Sequence, residues 1–135
     1  MTFLVDANVL SEATRPAPEP KVLQWLRAHE AELVVDPIIL GEIRFGIELM
    51  APGQHRKRLE LWFAEGVENL VCLPIDAATS ICWAQLLAKL RASGGAMPYK
   101  DSLIAATALL HDPTVVTRNT RDFQQAGVKV FNPFA

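Results

Sequence analysis

Asp6 and Asp122 each follow a short apolar run that predicts a buried strand. Asp6 comes directly after Phe3-Leu4-Val5, and Asp122 lies in the loop behind Val115-Val116-Thr117. Because ligands of open α/β sheets bind beyond the carboxyl ends of the strands, we expect both carboxylates at that edge. Each could instead cap the helix that follows, which is a common use of Asp at such positions.

Glu42 lies early in a predicted helix that begins at the same edge of the sheet. It shares one helical face with the apolar residues Ile38, Phe45 and Leu49. A carboxylate on an apolar face is costly unless it meets a cation or hydrogen-bond donors. A metal ion would provide the cation, and so would an ion pair with Arg44 or another base.

Asp101 opens a further predicted helix and shares its inward face with Ile104, Ala105 and Ala108. The tight connection at 111–114 makes this helix antiparallel to the strand behind it, so the first helical turn lies over the strand's carboxyl end. The helix dipole alone would favour an acid at this position. It does not explain why three more carboxylates are expected at the same edge.

The carboxylates of Asp6, Glu42, Asp101 and Asp122 therefore form a candidate metal site. Like charges held close together raise each other's pKa, and a divalent cation removes this repulsion. Oxygen ligands suit Mg²⁺ or Mn²⁺, whereas the three scattered histidines do not form a zinc site. Such a site favours hydrolysis of phosphodiester bonds, because the metal polarises a phosphate oxygen and acidifies a bound water.

The elements that position these acids are short apolar strands alternating with longer helices. Strands are predicted at residues 3–5, 33–35, 70–73, 115–117 and 128–131. Helices are predicted at residues 8–14, 20–30, 37–50, 55–68, 77–92 and 100–111, with Asp36 and Asp76 as caps. The alternation predicts an α/β fold, with a mainly parallel central sheet of about five strands flanked by helices on both faces. We expect a single domain over residues 1–135.

The composition restricts the class of protein further. Half of the residues are apolar and 21% are charged, which excludes a disordered chain. Thirteen basic and fifteen acidic residues give a net charge of −2, without the basic excess usual for nucleic-acid binders. Cys72 and Cys82 are expected to be buried reduced thiols, which fits a cytoplasmic protein. No membrane association is expected, because no apolar run reaches the length of about 18 residues that spans a bilayer.

Four segments of the sequence resemble, in order, the acidic motifs of PIN-domain nucleases. They are LVDANVLSE at 4–12, LGEIRFGI at 40–47, DSLIAATA at 101–108 and VTRNTRDF at 116–123. The closing Asn132-Pro133-Phe134 is also typical of the family. The resemblance runs from residue 3 to residue 134, and the subgroup it resembles is the VapC/FitB-like toxins of type II toxin–antitoxin modules.

The resemblance implies a Mg²⁺-dependent endoribonuclease that hydrolyses RNA. Asp6 and Asp101 would be the most direct metal ligands, while Glu42 and Asp122 would act through water or bind a second ion. Three further residues would orient the carboxylates and waters: Asn8, Thr117 and Asn119.

The resemblance also implies partners. Members of this family are usually homodimers, and each is neutralised by a small antitoxin whose tail occupies the active-site groove. The complex often binds its own promoter, so DNA would be contacted only indirectly, through the antitoxin.

The sequence departs from the family pattern in two places. Asp36-Pro37 stands before the second motif, where a small hydroxyl residue is common. Tyr99-Lys100 precedes Asp101, where many members carry Pro or another small residue. Neither departure changes the acidic set.

Basic residues near the motifs are candidates for contacts with RNA phosphates: Arg15, Arg44, Lys100, Arg118 and Arg121. Arg118 and Arg121 flank the fourth motif and are the strongest of these. A solvated surface charge explains each of the five equally well. Trp62-Phe63 is assigned a packing or protein-interface role.

Two other functions stay open at this point. The first is a PIN-like scaffold that binds RNA or a protein without cleaving, against which the complete acidic set argues. The second is a metal nuclease directed at DNA, because the acids act on the phosphate and not on the sugar.

Overall fold

The fold is built on one sheet of five parallel strands, in a computed structural model that describes residues 1–135. The strands are β1 (Phe3–Val5), β2 (Leu33–Val35), β3 (Val71–Cys72), β4 (Thr114–Val116) and β5 (Val130–Phe131). They pair in the order β3-β2-β1-β4-β5, and every pair is parallel. The predicted α/β class and five-stranded parallel sheet are therefore confirmed.

Seven helices connect the strands: α1 (Ala7–Leu10), α2 (Pro20–Ala28), α3 (Pro37–Glu48), α4 (Gln54–Glu65), α5 (Ala77–Ala92), α6 (Tyr99–His111) and α7 (Thr120–Gln125). Single 3₁₀ turns follow α1, α2 and α4. All residues of β1 and β2 are buried. Because successive strand residues point to opposite faces, helices must cover both faces of the sheet.

The boundaries differ from the prediction mainly where a helix is interrupted. The helix predicted at 8–14 is α1 followed by the 3₁₀ turn Ser11–Thr14. The helix predicted at 55–68 ends at Glu65, because Gly66 breaks it before a second 3₁₀ turn. Helix α7 was expected only in the alternative that Asp122 caps it. It begins earlier, with Asn119 at the cap position, and places Asp122 in its first turn rather than in a loop.

Two local signals for helix starts are confirmed. The Asp36 side chain accepts a hydrogen bond from the amide of Ile39 at 2.9 Å and caps α3, with Pro37 in the first turn. The Asp76 side chain accepts from the amide of Thr79 at 3.1 Å, and Thr79 bonds back to close a capping box at α5.

The expectation that both thiols are buried is wrong for Cys72. It lies in β3, an edge strand of two residues that are both exposed. Cys82 is half-buried, and both cysteines are free. Trp62 and Phe63 pack on the core, with Phe63 buried within it. No helix combines the length and the hydropathy that crossing a membrane requires.

Candidate active site

The first residue beyond each of the three central strands is polar and buried. These residues are Asp6 after β1, Asp36 after β2 and Thr117 after β4, with exposed fractions of 4%, 0% and 0%. The parallel register sets them side by side, because β1 pairs with both β2 and β4. Polar groups are costly to bury, so this edge of the sheet is built for something other than packing.

Asp6 is both a helix cap and the most buried of the four predicted acids. Its Oδ1 accepts the amide of Ala7 at 2.8 Å, and its Oδ2 accepts the hydroxyl of Thr117 at 2.8 Å. Burial raises the pKa of the Asp6 carboxyl, and these two hydrogen bonds oppose the rise. The two interpretations of Asp6, cap and site residue, are therefore compatible.

Asn119 joins the acids of two helices. Its Nδ2 donates to Oδ2 of Asp101 at 3.0 Å and to Oδ2 of Asp122 at 2.9 Å. Burial raises the pKa of Asp101, and the negative charges of Asp6 and Asp122 raise it further. Asp101 on α6 thus lies close enough to Asp6, at the end of β1, and to Asp122, on α7, for the negative charges to repel.

Glu42 keeps one carboxylate oxygen without a partner. Its Oε2 lies 3.7 Å from Nζ of Lys100, whereas its Oε1 is buried and makes no hydrogen bond. The pKa of Glu42 is raised by burial first and by the charge of Asp6 second. Its basic neighbour is Lys100 and not Arg44, which pairs with Glu48 and Glu60 instead.

The helical face on which Glu42 lies is not the core face that its spacing suggested. The buried residues of α3 are Ile39, Ile43 and Ile47. Phe45, on the predicted face, is 62% exposed. The helix is rotated so that Glu42 lies at the boundary between core and surface. A boundary position lets solvent or a ligand reach a carboxylate that is still half-buried.

The donor set fits a divalent cation by its chemistry. All candidate ligands are carboxylate oxygens, which Mg²⁺ prefers. Oε1 of Glu42 is buried without a hydrogen-bond partner, and a bound cation would compensate the cost of removing this oxygen from water. In this arrangement no three acidic, histidine or cysteine side chains converge closely enough to hold one ion. Lys100 also lowers the pKa of Asp6, Glu42 and Asp101 through its charge.

The polar residues predicted to orient this cluster lie among the acids. Asn8 donates through Nδ2 to Oδ2 of Asp6 at 3.4 Å and accepts the amide of Arg118 at 3.2 Å. The Thr117 hydroxyl also accepts the amide of Asn119 at 3.0 Å. A single network therefore connects β1, the end of β4 and the start of α7.

The predicted basic residues differ in how they are held. The Arg118 guanidinium lies 3.9 Å from the ring centroid of Phe134, in the closing segment of the chain. Arg121 is exposed on α7. Arg15 pairs with Glu12 at 3.9 Å. Of these three arginines, Arg118 is the one whose guanidinium packs on an aromatic ring.

A comparison with protein families decides the assignment of this fold and acidic edge. The family model described as the PIN domain matches residues 3–129. The chain belongs to the PIN domain family. The matched region of this PIN domain contains all four acids and the network that holds them.

Relatives of known type span nearly the whole PIN domain. The VapC ribonuclease Y4jK of Sinorhizobium fredii is 36% identical over 137 residues, which cover 98% of this chain and 97% of the relative. Toxin FitB of Neisseria gonorrhoeae is 35% identical over 136 residues, which cover 98% of each chain. PIN-domain ribonucleases generally use divalent metal ions.

A solved structure shares the fold closely. The structure of FitAB bound to an IR36 DNA fragment matches with a TM-score of 0.93 and 33% identity, covering 99% of this chain and 96% of that chain. The similarity extends over the whole sheet and the helices that carry the acids. The five-stranded PIN fold is therefore shown by both sequence and structure.

Proposed function

We propose that this PIN domain is a Mg²⁺-dependent endoribonuclease and the toxin of a toxin–antitoxin pair. The observation that carries the proposal is the buried acidic edge, where burial raises the pKa values of Asp6, Glu42 and Asp101 and the charge of Asp6 raises those of Glu42 and Asp101 further. The free-energy cost of burying several carboxylates close together is typical of functional sites. The relatives supply the reaction class, because one is a VapC ribonuclease and another is a toxin.

Asp6 and Asp101 would bind the metal ion directly, as the family resemblance implies. Asp6 is oriented by a hydrogen bond from Thr117 and Asp101 by one from Asn119. Glu42 and Asp122 would act through water or bind a second ion. A bound Mg²⁺ or Mn²⁺ polarises a phosphodiester oxygen and lowers the pKa of a bound water. Oε1 of Glu42, which makes no hydrogen bond, is free to accept one from such a water or to bind the ion.

The uncharged residues of the network orient these acids. Thr117 donates to Asp6 and accepts from the amide of Asn119, so its hydroxyl links the two halves of the site. Asn119 directs one oxygen each of Asp101 and Asp122 towards itself and leaves the other oxygens for a cation. Asn8 holds the loop that carries Arg118 against Asp6. Fixed ligands of this kind lower the cost of assembling a metal site.

Lys100, Arg118 and Arg121 would contact the phosphates of the RNA. The ammonium group of Lys100 lies 3.7 Å from Oε2 of Glu42. It would offer a positive charge to an RNA phosphate next to the metal site. Arg118 is held by Phe134, so less side-chain freedom is lost when it binds a phosphate.

Replacing Arg118 by Ala should weaken the binding of RNA and change the rate at which bound RNA is cleaved only a little. Loss of one phosphate contact should lower the slope of log K against log salt by about 1. Arg91, exposed on α5, gives the matched control Arg91→Ala. Filter binding at several salt concentrations measures both slopes, and equal slopes for Arg118→Ala and the wild type would exclude the contact.

The proposal includes partners and a location. A cognate antitoxin would neutralise the protein, which the similarity to Toxin FitB and to the FitAB complex supports. The protein would form a homodimer and would reach DNA only through the antitoxin, as the family resemblance implies. An RNA substrate and a cognate antitoxin would both be met in the cytoplasm, which is the location we propose.

Cleavage of structured RNAs, with single-stranded and duplex DNA of matched sequence, tests the reaction. We expect RNA cleavage with Mg²⁺ or Mn²⁺, none with EDTA, and a loss of at least about 100-fold in Asp101→Asn. Asp112→Asn is the matched control, because Asp112 ends the same helix with an 86% exposed side chain. Preferred cleavage of DNA would indicate a DNA nuclease, and binding without cleavage by the clean wild type would indicate a scaffold.

A further inference from the structure

Asp36 is a fully buried acid that the proposed reaction does not use. It lies directly after β2 and caps α3 through Oδ1, which accepts the amide of Ile39 at 2.9 Å. Its second oxygen, Oδ2, accepts the hydroxyl of Thr107 at 2.9 Å. Both Asp36 and Thr107 have an exposed fraction of 0%. The carboxylate thus makes one bond within its own helix and one to α6.

A helix cap alone does not require this carboxylate. The hydroxyl of Ser or Thr caps a helix about as well as Asp does, and burying an ionised carboxylate is far more costly than burying a hydroxyl. Burial raises the pKa of Asp36, and the negative charge of Asp36 in turn raises the pKa of Glu42. The feature that Asp adds and Ser lacks is the second oxygen, which is the one that reaches Thr107.

The position of this bridge relates it to the acids of the site. Asp36 precedes Glu42 by six residues on α3, and Thr107 follows Asp101 by six residues on α6. Six residues correspond to about 9 Å along a helix. The hydrogen bond between Asp36 and Thr107, here called the bridge, therefore joins α3 and α6 at equal distances along each helix from Glu42 and Asp101. A shift of one helix relative to the other would break this buried hydrogen bond.

We propose that Asp36 is a positioning residue of the metal site, which through its bond to Thr107 fixes the relative placement of Glu42 and Asp101. The inference rests on the proposed metal-dependent function. The carboxylate acts at a distance, by holding α3 against α6, and does not itself contact the ion or the RNA. Removing the bridge should therefore weaken metal binding before it affects RNA binding.

Binding of Mn²⁺ to the RNA-free protein, measured by calorimetry or electron paramagnetic resonance, tests the inference without using activity. Thr107→Val removes the hydroxyl at nearly constant volume, and Asp36→Ser keeps the cap while removing the bridge. We expect each variant to raise the Kd for Mn²⁺ about tenfold, as is usual when a group that supports a metal site is lost. Thr107→Ser should restore the wild-type Kd, because it restores the donor.

A cleavage assay separates positioning from RNA binding. At limiting Mg²⁺ the bridge variants should cleave more slowly, and excess Mg²⁺ should recover the rate, while KM for RNA stays within about twofold of the wild type. The double variant Asp36→Ser/Thr107→Val should be no worse than either single variant, because both remove the same bond.

Asp76→Ser provides the matched control. Asp76 caps α5 as Asp36 caps α3, but it lies at an exposed site, and its charge does not shift the pKa of Glu42 or Asp101. Because Ser keeps the cap, Asp76→Ser should change the thermal midpoint little and leave the Kd for Mn²⁺ unchanged. Equal Mn²⁺ affinity in the bridge variants and the wild type would contradict the positioning role. Absence of Mn²⁺ binding by the wild type would contradict the proposed metal centre itself, and this inference with it.

Discussion

Asp6→Asn is expected to lower RNA cleavage by at least about 10³-fold and yet leave the protein as stable as the wild type, or more stable, in EDTA at pH 7. A metal ion contributes several kcal/mol of charge stabilisation in the transition state, and each 1.36 kcal/mol is worth about a factor of ten. Asn has nearly the shape of Asp but binds a cation poorly. The largest loss of activity should therefore come from the mildest change in shape.

The hydrogen bonds of Asp6 explain why stability is retained. The Asn oxygen can still accept the amide of Ala7. The Asn amide replaces the acceptor of the Thr117 and Asn8 hydrogen bonds with a donor, and the removal of a buried charge offsets this cost. Meanwhile the substitution removes a buried charge that raises the pKa of both Glu42 and Asp101. One substitution thus separates the contribution of Asp6 to RNA cleavage from the cost of its buried charge to the stability of the fold.

Asp76→Asn controls for the loss of a capping Asp, because Asp76 caps α5 and its charge does not shift the pKa of Asp6, Glu42 or Asp101. Single-turnover cleavage and urea unfolding in EDTA provide the two measurements. The interpretation would fail if Asp6→Asn cleaved RNA within tenfold of the wild type. It would fail equally if Asp6→Asn were much less stable than the Asp76→Asn control.

The acids that the sequence predicted best are those whose position depends on topology alone. Asp6 needs only the end of a buried strand, and Asp101 needs only the phase of one helix, which residues 104, 105 and 108 reveal. A parallel sheet then brings strand ends and helix starts to one edge without any knowledge of packing. For the same reason, the five strands were predicted within a few residues.

The features that were missed depend on how helices pack against one another. The rotation of α3 exposes Phe45 and buries Ile39, although both faces of this helix are apolar in sequence. The bond between Asp36 and Thr107 joins residues 71 apart in the chain. Local signals explained Asp36 completely as a helix cap, and nothing nearby indicated a second partner. Tertiary contacts, rather than propensity, decide these details.

The raised pKa values predict an unusual dependence of stability on pH. In EDTA, the protein should become less stable as the pH rises above the ordinary carboxyl value of about 4. Asp6, Glu42 and Asp101 bind protons more tightly in the folded state than in the unfolded state. Their contribution to stability is therefore fully present below about pH 4, the ordinary carboxyl pKa, and is lost as the pH rises through the raised values.

Exposed acids do not obscure this trend. The pKa of Glu48 is lowered by a hydrogen bond from Arg44, and the pKa of Asp76 is lowered by a bond from the amide of Thr79. A lowered pKa gives a contribution that is gained with rising pH, but this gain is complete once the pH exceeds the ordinary carboxyl value. Above about pH 5 the buried acidic edge therefore dominates the carboxylate contribution.

Mg²⁺ should reverse the loss at about pH 7.5 and have less effect at about pH 4.5, where protons compete for carboxylates whose pKa values are raised. At a concentration of 100 Kd, a ligand of the folded state adds about 2.7 kcal/mol, which corresponds to a rise in Tm of about 10 °C for a domain of this size. Scanning calorimetry at the two pH values, with Mg²⁺ or EDTA, measures the difference. Asp112→Asn should show the full rise and Asp101→Asn little of it. An equal rise in both variants would place the bound ion elsewhere, because only one of these aspartates lies within the acidic edge.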